Sequence, residues 1–280
     1  MTIDGILAEA TASLESAGIG TARLDALVLL QDELKKDKAW ILTHSDHPFH
    51  SKSLEKLHQK IERRISHEPL SYIRKKTEFF GREFIVDKRV LEPRPESETM
   101  IELTKDIFSR PHRFTTQRLP HAPHIADIGT GSGALAITAA LEIPRVRVSA
   151  TDIDKDCLKV AERNARKHKI DLSLHHGDLL RPLFTTHHPL TTILANLPYV
   201  PARYEVNHAA RHEPALAIFG GGDGLELYRR MFTQLAERTE KPLFVLTESL
   251  PFQHQNLADI ASIAGYKHKT TQDFIQVFVY

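Results

Sequence analysis

The sequence predicts an α/β protein: a doubly wound, mostly parallel, seven-stranded Rossmann-like sheet, preceded by a small N-terminal helical bundle and a β-hairpin linker. Three observations predict it. From residue 124 onward, short β-branched runs alternate with helix-length amphipathic runs, as in a parallel sheet covered by helices. The first of these strands runs directly into a glycine-rich turn, Gly129-Thr130-Gly131-Ser132-Gly133. Before them lies a stretch of about 70 residues that carries only helical periodicity, enough for a small bundle.

In the bundle, Ile3, Ile6, Leu7, Ala10 and Leu14 share one helical face, with Thr2 as a candidate N-cap and Gly18 as a stop. Leu24, Leu27, Val28, Leu30 and Leu34 mark a second helix, and Trp40 to Leu42 a short third. Leu54, Leu57, Ile61 and Ile65 mark a fourth, which Pro69 helps to end. Aromatic and β-branched residues flank Gly81 in Glu78 to Asp87, which reads as a hairpin linking two domains. The expected division is 1–75 for the bundle, 76–90 for the linker and 91–280 for the α/β domain. A helix is expected over 97–108, and an exposed loop from Ser109 to Pro123, rich in Pro, His, Arg and Thr. The expected strands are 125–128, 146–151, 172–175, 192–195, 243–247, 266–271 and 274–279. Helices are expected over 134–141, 155–167, 224–237 and 252–264.

Composition narrows the function classes. With 26% charged and 41% hydrophobic residues the chain has an ordinary soluble profile. A formal net charge of +1 gives no overall field toward nucleic acid or membrane. One cysteine, Cys157, excludes an intramolecular disulfide and argues against a zinc cluster. That suits a reducing cytoplasm, where we expect the protein, as a monomer. The N-terminus has no basic region followed by an apolar core, so no signal peptide is expected. No apolar run approaches the roughly 18 residues of a membrane span. The 17 histidines form no His-Glu-x-x-His pattern, and no metal is expected.

In doubly wound sheets ligands bind beyond the carboxyl ends of the strands, so the strand ends are the candidate site. The first ends at Asp127 and the loop Gly129, Thr130, Gly131 and Gly133. A glycine-rich turn alone is a weak signal, shared with dinucleotide-binding proteins. Here the glycines alternate, and Asp127 would face a pyrophosphate unfavourably. An acid there suits a cation such as the amino group of S-adenosylmethionine. The second strand ends at Asp152, placed to accept from ribose hydroxyls. It could equally cap the next helix, although Asp154 is better placed for that. The third leads to Asp178 and Leu179, where a carboxylate could accept from an adenine amino group and the backbone could donate to the ring; a turn aspartate is the plainer reading. Three acids at three successive strand ends raise the joint odds of a cofactor site, though NAD stays open on these features alone.

The fourth strand ends in Asn196-Leu197-Pro198-Tyr199. As a bare tetrapeptide this is an Asn-x-Pro turn more often than a site; beyond the fourth strand after this glycine loop, the site reading is favoured over NAD binding. Methyl transfer to an amide or exocyclic nitrogen requires acceptors that hold the NH2 group and aim its face at the methyl carbon. Asn196 supplies a side-chain carbonyl and Leu197 a backbone carbonyl. Pro198 stiffens the turn and Tyr199 can pack on a flat substrate group. Orientation and electrostatic stabilisation are then the catalytic terms.

These motifs, with others, resemble the protein-(glutamine-N5) methyltransferases that modify peptide chain release factors. The further matches are Arg23-Leu24-Asp25-Ala26, Glu68-Pro69-Leu70-Ser71-Tyr72-Ile73, Phe79-Phe80-Gly81 with Phe84, Leu91-Glu92-Pro93-Arg94-Pro95-Glu96-Ser97-Glu98, Glu213-Pro214 with Ala217, and Gly222-Asp223-Gly224-Leu225. The resemblance implies S-adenosylmethionine as methyl donor, S-adenosylhomocysteine as product, and the glutamine of a release factor's Gly-Gly-Gln loop as substrate. It also implies that the helical domain grips the release factor. The family usually has proline where this chain has Leu197, glycine within the Arg74-Lys75-Lys76 stretch, and often arginine at Gln276. Asn-Leu-Pro-Tyr is also typical of rRNA adenine-N6 dimethyltransferases, so an N6-adenine methyltransferase acting on RNA or DNA is the alternative. A non-catalytic S-adenosylmethionine-binding protein is a third.

Overall fold

The computed structural model describes residues 1–184 and 189–280. They divide into two compact units, one of Met1–Lys76 with Val206–His212, the other of Thr77–Glu205 with Glu213–Tyr280.

The first unit is helical: α1 (Ile3–Ser16), α2 (Ala22–Leu34), α3 (Lys38–Thr43), α4 (Ser51–Ile65) and α5 (Leu70–Arg74). Thr2 caps α1 by accepting from the Gly5 amide, as its sequence position suggested. Leu14, Ala26, Leu29, Leu30 and Leu57 are fully buried in its core. The buried Asp25 accepts from Arg64 at 2.7 Å, tying α2 to α4. Pro69 does not end α4. That helix stops at Ile65, His67 turns the chain in the left-handed region, and Pro69 is the N-cap of α5, a helix too short for periodicity to reveal. Lys75 sits at the C-cap of α5 with φ 61°, the conformation glycine adopts most easily. The segment Val206–His212 joins this unit through a His67–His208 ring stack at 4.8 Å and a 2.9 Å contact between His212 Nε2 and the Ser66 carbonyl.

The second unit opens with the hairpin, β1 (Lys76–Phe79) and β2 (Arg82–Ile85), then α6 (Glu98–Ser109). The doubly wound part follows: β3 (His124–Ile128), α7 (Ala134–Glu142), β4 (Arg147–Asp152), α8 (Lys155–His168), β5 (Ser173–His176) and β6 (Thr192–Ala195). The chain continues through α9 (Ala215–Ile218), α10 (Glu226–Glu237), β7 (Phe244–Glu248), α11 (His254–Ile263), β8 (Lys267–Gln272) and β9 (Ile275–Val279). The seven strands order as β5-β4-β3-β6-β7-β9-β8. All pairs among the first five are parallel; β9 lies antiparallel between β7 and β8. The order reverses at β3, so the switch point falls between β3 and β6.

Both faces of β3, β6 and β7 are buried, which is why these strands read as continuous apolar runs. Edge strand β8 is mostly exposed and carries Lys267, His268 and Lys269. Among the described residues, no helix is long and apolar enough to cross a membrane.

Candidate active site

Strand register assembles the site. Ile128 pairs with Ala195, so the glycine loop and Asn196 leave the sheet side by side at the switch point. Ile128 also pairs with Thr151, which places Asp152 beside Gly129. Asp152 pairs with His176, bringing Gly177 and Asp178 to the same edge. On the other side Ala195 pairs with Thr247, which sets Glu248 beside Asn196. A cavity of about 400 Å³ opens there, within the size range of ligand sites. Asp127, Gly129, Thr130, Gly131, Asp152, Asp178, Leu179, Asn196, Leu197 and Pro198 all line it.

Asp127 is 1% exposed. Its Oδ2 accepts from the Thr130 hydroxyl at 2.6 Å and the Ala136 amide at 3.2 Å, so it shapes the loop as well as facing the cavity. Burial pushes its carboxyl up to about 6 against those two bonds, and Asp152 nearby adds to the rise. Asp152 accepts from the Gly131 and Asp154 amides, both at 2.9 Å. Burial raises its pKa as well. Asp154 takes the helix-capping role, accepting from the Asp156 amide at 2.7 Å. Asp178 is engaged already: Oδ1 accepts from Arg230 at 2.6 Å and Oδ2 from Gln234 at 2.9 Å, both on α10. Any further donor must share those oxygens. Leu179 holds a φ of 49°, turning the chain under the cavity.

Cys157 also lines the cavity. Its thiol donates to the Arg89 carbonyl at 3.1 Å, and burial followed by Asp152 pushes it up to about 12. It is a neutral wall group, not a nucleophile. Arg94 reaches the buried Glu213 at 2.5 Å on the cavity rim. Burial lifts the Glu213 carboxyl to about 7 although Arg94 opposes the rise.

At the end of β6 the Asn196 side-chain NH2 donates to the Ser97 hydroxyl at 2.9 Å. Ser97 donates to Glu248 Oε2 at 2.6 Å, and Tyr199 donates to Glu248 Oε1 at 3.0 Å. Glu248 is 1% exposed, and burial raises its pKa against the bonds from Ser97 and Tyr199. The Tyr228 hydroxyl joins the ends of β6 and β7, lying 3.1 Å from the Ala195 carbonyl and 2.5 Å from that of Glu248. It also accepts from the Leu197 amide at 3.3 Å. A proline at 197 has no N–H to make this bond, so leucine exchanges ring stiffness for a hydrogen bond. The Leu197 side chain is buried, its Cδ2 3.0 Å from where a Cβ on Gly129 would lie. Gly129 has φ 73°, so a side chain there would be strained and its Cβ would press on the Leu197 methyl.

Two expected residues fall outside the cavity wall. Gly133 lies behind the loop as the N-cap of α7, against Ala161 and Ile137. Tyr199 was expected to face the substrate; its ring packs instead against the core and its hydroxyl points to Glu248. Burial, then the charge of Glu248, raises that hydroxyl's pKa, so it stays a neutral phenol whose hydrogen goes to Glu248. The sequence reading missed Ser97, Glu248, Tyr228, Arg230 and Gln234. Two had a usable signal: Ser97 lies within the Leu91–Glu98 signature, and Glu248 at the end of a parallel strand next to the switch point. Among the described residues no three acidic, histidine or cysteine side chains cluster as a metal site would need.

Fold and site together define a Rossmann-like methyltransferase. Residues 5–74 match the family model of the PrmC N-terminal domain, and residues 111–213 that of the methyltransferase small domain. The chain is 38% identical over 192 residues to a release factor glutamine methyltransferase of Bacillus anthracis, covering 67% of this chain and 65% of that one. It is 32% identical over 252 residues to the release factor glutamine methyltransferase of Koribacter versatilis, covering 89% of this chain and 86% of that one. The chain belongs to the release factor glutamine methyltransferase family. Among solved structures, the catalytic domain of hMettl16 superposes with a TM-score of 0.53 at 13% identity, covering 83% of this chain and 82% of that one. That likeness carries the fold alone.

Proposed function

We propose that this chain transfers a methyl group from S-adenosylmethionine to the side-chain amide nitrogen of the glutamine in the Gly-Gly-Gln loop of a peptide chain release factor. The observation that carries the reading is the Asn196 amide, anchored through its NH2 at the edge of a cavity that the glycine loop and four aspartates, Asp127, Asp152, Asp154 and Asp178, line. The residues present fit the donor: loop backbone that a ligand can approach closely, buried carboxylates for a cation and for hydroxyls, and apolar wall from Leu135, Ile153 and Leu179. S-adenosylmethionine supplies an electrophilic methyl on a sulfonium, which leaves as a neutral thioether. Asp127 would balance the cofactor's ammonium, Asp152 would accept from its ribose, and the backbone around Leu179 would hold the adenine.

With its NH2 committed to Ser97, Asn196 has its carbonyl oxygen left to accept from the substrate amide. The Leu197 carbonyl is the second acceptor. Held by two acceptors, the planar nitrogen turns its face toward the methyl, and positive charge developing on it meets oriented dipoles. The product nitrogen's extra proton is acidic and leaves to water, so no side-chain base acts before transfer.

The helical unit grips the release factor in this reading. The protein works in the cytoplasm as a monomer, and the lysines on edge strand β8 resist strand addition by a second copy. The test is mass spectrometry of a release factor incubated with the protein and S-adenosylmethionine. One added methyl on the Gly-Gly-Gln glutamine is expected. An unmodified glutamine, with methyl entering adenine of added rRNA instead, overturns the reading.

A further inference from the structure

We infer that Glu248 is a positioning residue which fixes the polarity of the Asn196 amide through Ser97, so that the carbonyl and not the NH2 of Asn196 faces the substrate. This rests on the proposed glutamine-amide reading.

The argument is one of donors and acceptors. Asn196 is nearly isosteric about its amide, and its two ends differ only in hydrogen bonding. A substrate NH2 needs an acceptor, so a flipped Asn196 would present donor to donor. Whichever end Ser97 receives decides the other. Ser97 Oγ has one hydrogen, and that hydrogen goes to Glu248 Oε2 at 2.6 Å. With its hydrogen spent, Ser97 can only accept from Asn196, which it does at 2.9 Å. The direction therefore originates at Glu248, whose ionised carboxylate only accepts.

The surroundings enforce this. Tyr199 donates to the second Glu248 oxygen at 3.0 Å. Glu248 is 1% exposed and Ser97 3% exposed, so water does not compete for these bonds. Burial and the negative charge of Glu96 favour the protonated acid, while the bonds from Ser97 and Tyr199 favour the carboxylate. Tyr228, packed above the Glu248 backbone, stays a neutral phenol. Protonation of Glu248 would give Ser97 a donor to accept from, free the Ser97 hydrogen for the Asn196 carbonyl, and reverse the relay.

The test uses the full-length protein with S-adenosylmethionine and release factor, and reads kcat, both KM values and cofactor affinity by calorimetry. Glu248→Gln keeps the shape but places an NH2 among donors. We expect kcat to fall about 10²-fold, on the scale of losing an oriented transition-state hydrogen bond, with cofactor affinity changed less than about threefold. Ser97→Ala, which leaves the carboxylate in place, is expected to give a similar loss even if Glu248→Gln folds poorly, and Ser97→Thr to recover most of it. The double variant should lose no more than the worse single one, because both break one relay. The kcat of the wild type should fall on the acid side, and Ser97→Ala should lack that limb. Singles within about threefold of wild-type kcat, or losses that multiply in the double variant, overturn the relay while leaving the glutamine reading intact. A wild-type protein that leaves the release factor unmodified overturns the reading and the relay together.

Discussion

Asp127 divides its carboxylate between the loop and the cavity, and its protonation has two readable consequences. Its folded pKa of about 6 lies above the ordinary aspartate value of 3.8, so the fold is favoured by protonation. That stabilisation is fully present below about pH 3.8 and is lost as pH rises through about 6. Asp127→Asn keeps an oxygen for Thr130 and Ala136 without the buried charge. It should therefore stabilise the cofactor-free protein at pH 8 by up to about 3 kcal/mol, read by denaturant titration. It should also weaken S-adenosylmethionine, because the proposed ammonium partner is gone. In the wild type a bound cation favours the carboxylate, so calorimetry near pH 6 should show proton release, and affinity should fall below that pH. Affinity independent of pH between 5 and 8 would remove Asp127 from the cofactor site. Asn196→Ala should keep cofactor affinity while turnover drops roughly 10²–10³-fold; unchanged turnover would exclude Asn196 from the mechanism. These acids and Asn196 were legible because a strand end in a parallel sheet is a privileged place. Their engagement was not. Arg230 and Gln234, which occupy Asp178, come from a helix far along the chain, and no local pattern announces that they return to it.

At the scale of elements, alternation of apolar runs predicted all seven strands of the sheet, and register did the rest. A parallel sheet buried on both faces leaves long apolar runs that a sequence displays openly. Short pieces were not legible: α5 and α9 have five and four residues, too few for a helical period. The contacts of Tyr199 were not legible for a related reason. Strand pairing brings Glu248 beside the motif, and a buried carboxylate draws the hydroxyl inward. The turn at Gly224 holds the motif from behind. Gly224 has φ 84°, and a Cβ there would lie 2.0 Å from the Tyr199 carbonyl and 2.5 Å from Gln253 Nε2. Gln253 itself donates to that carbonyl at 2.8 Å. Gly224→Ala should therefore displace the motif, lower the melting temperature by several degrees and abolish turnover. Wild-type turnover in that variant would show that the turn does not set the motif's position.

At the scale of the molecule, each unit has its own buried core. Leu29, fully buried in the helical core, tests whether the units carry separate tasks. Leu29→Ala should cost about 2–5 kcal/mol in the helical unit, seen as an earlier step in denaturant unfolding. Cofactor affinity should stay unchanged and the KM for release factor should rise. A fall in cofactor affinity of equal size would argue against separate tasks. The sequence reading placed the segment Val206–His212 in the α/β domain; it clusters with the helical unit instead, because its attachment depends on His208 and His212 meeting Ser66 and His67.

The muted thiol of Cys157 has a practical corollary. Maleimide dyes react with thiolates, and a thiol pushed up to about 12 supplies almost none at neutral pH. Native protein should then remain unlabelled, while Lys38→Cys, on the exposed start of α3, becomes a single attachment point. Absence of label on the wild type would make that variant a ready probe of how the helical unit responds when a release factor binds.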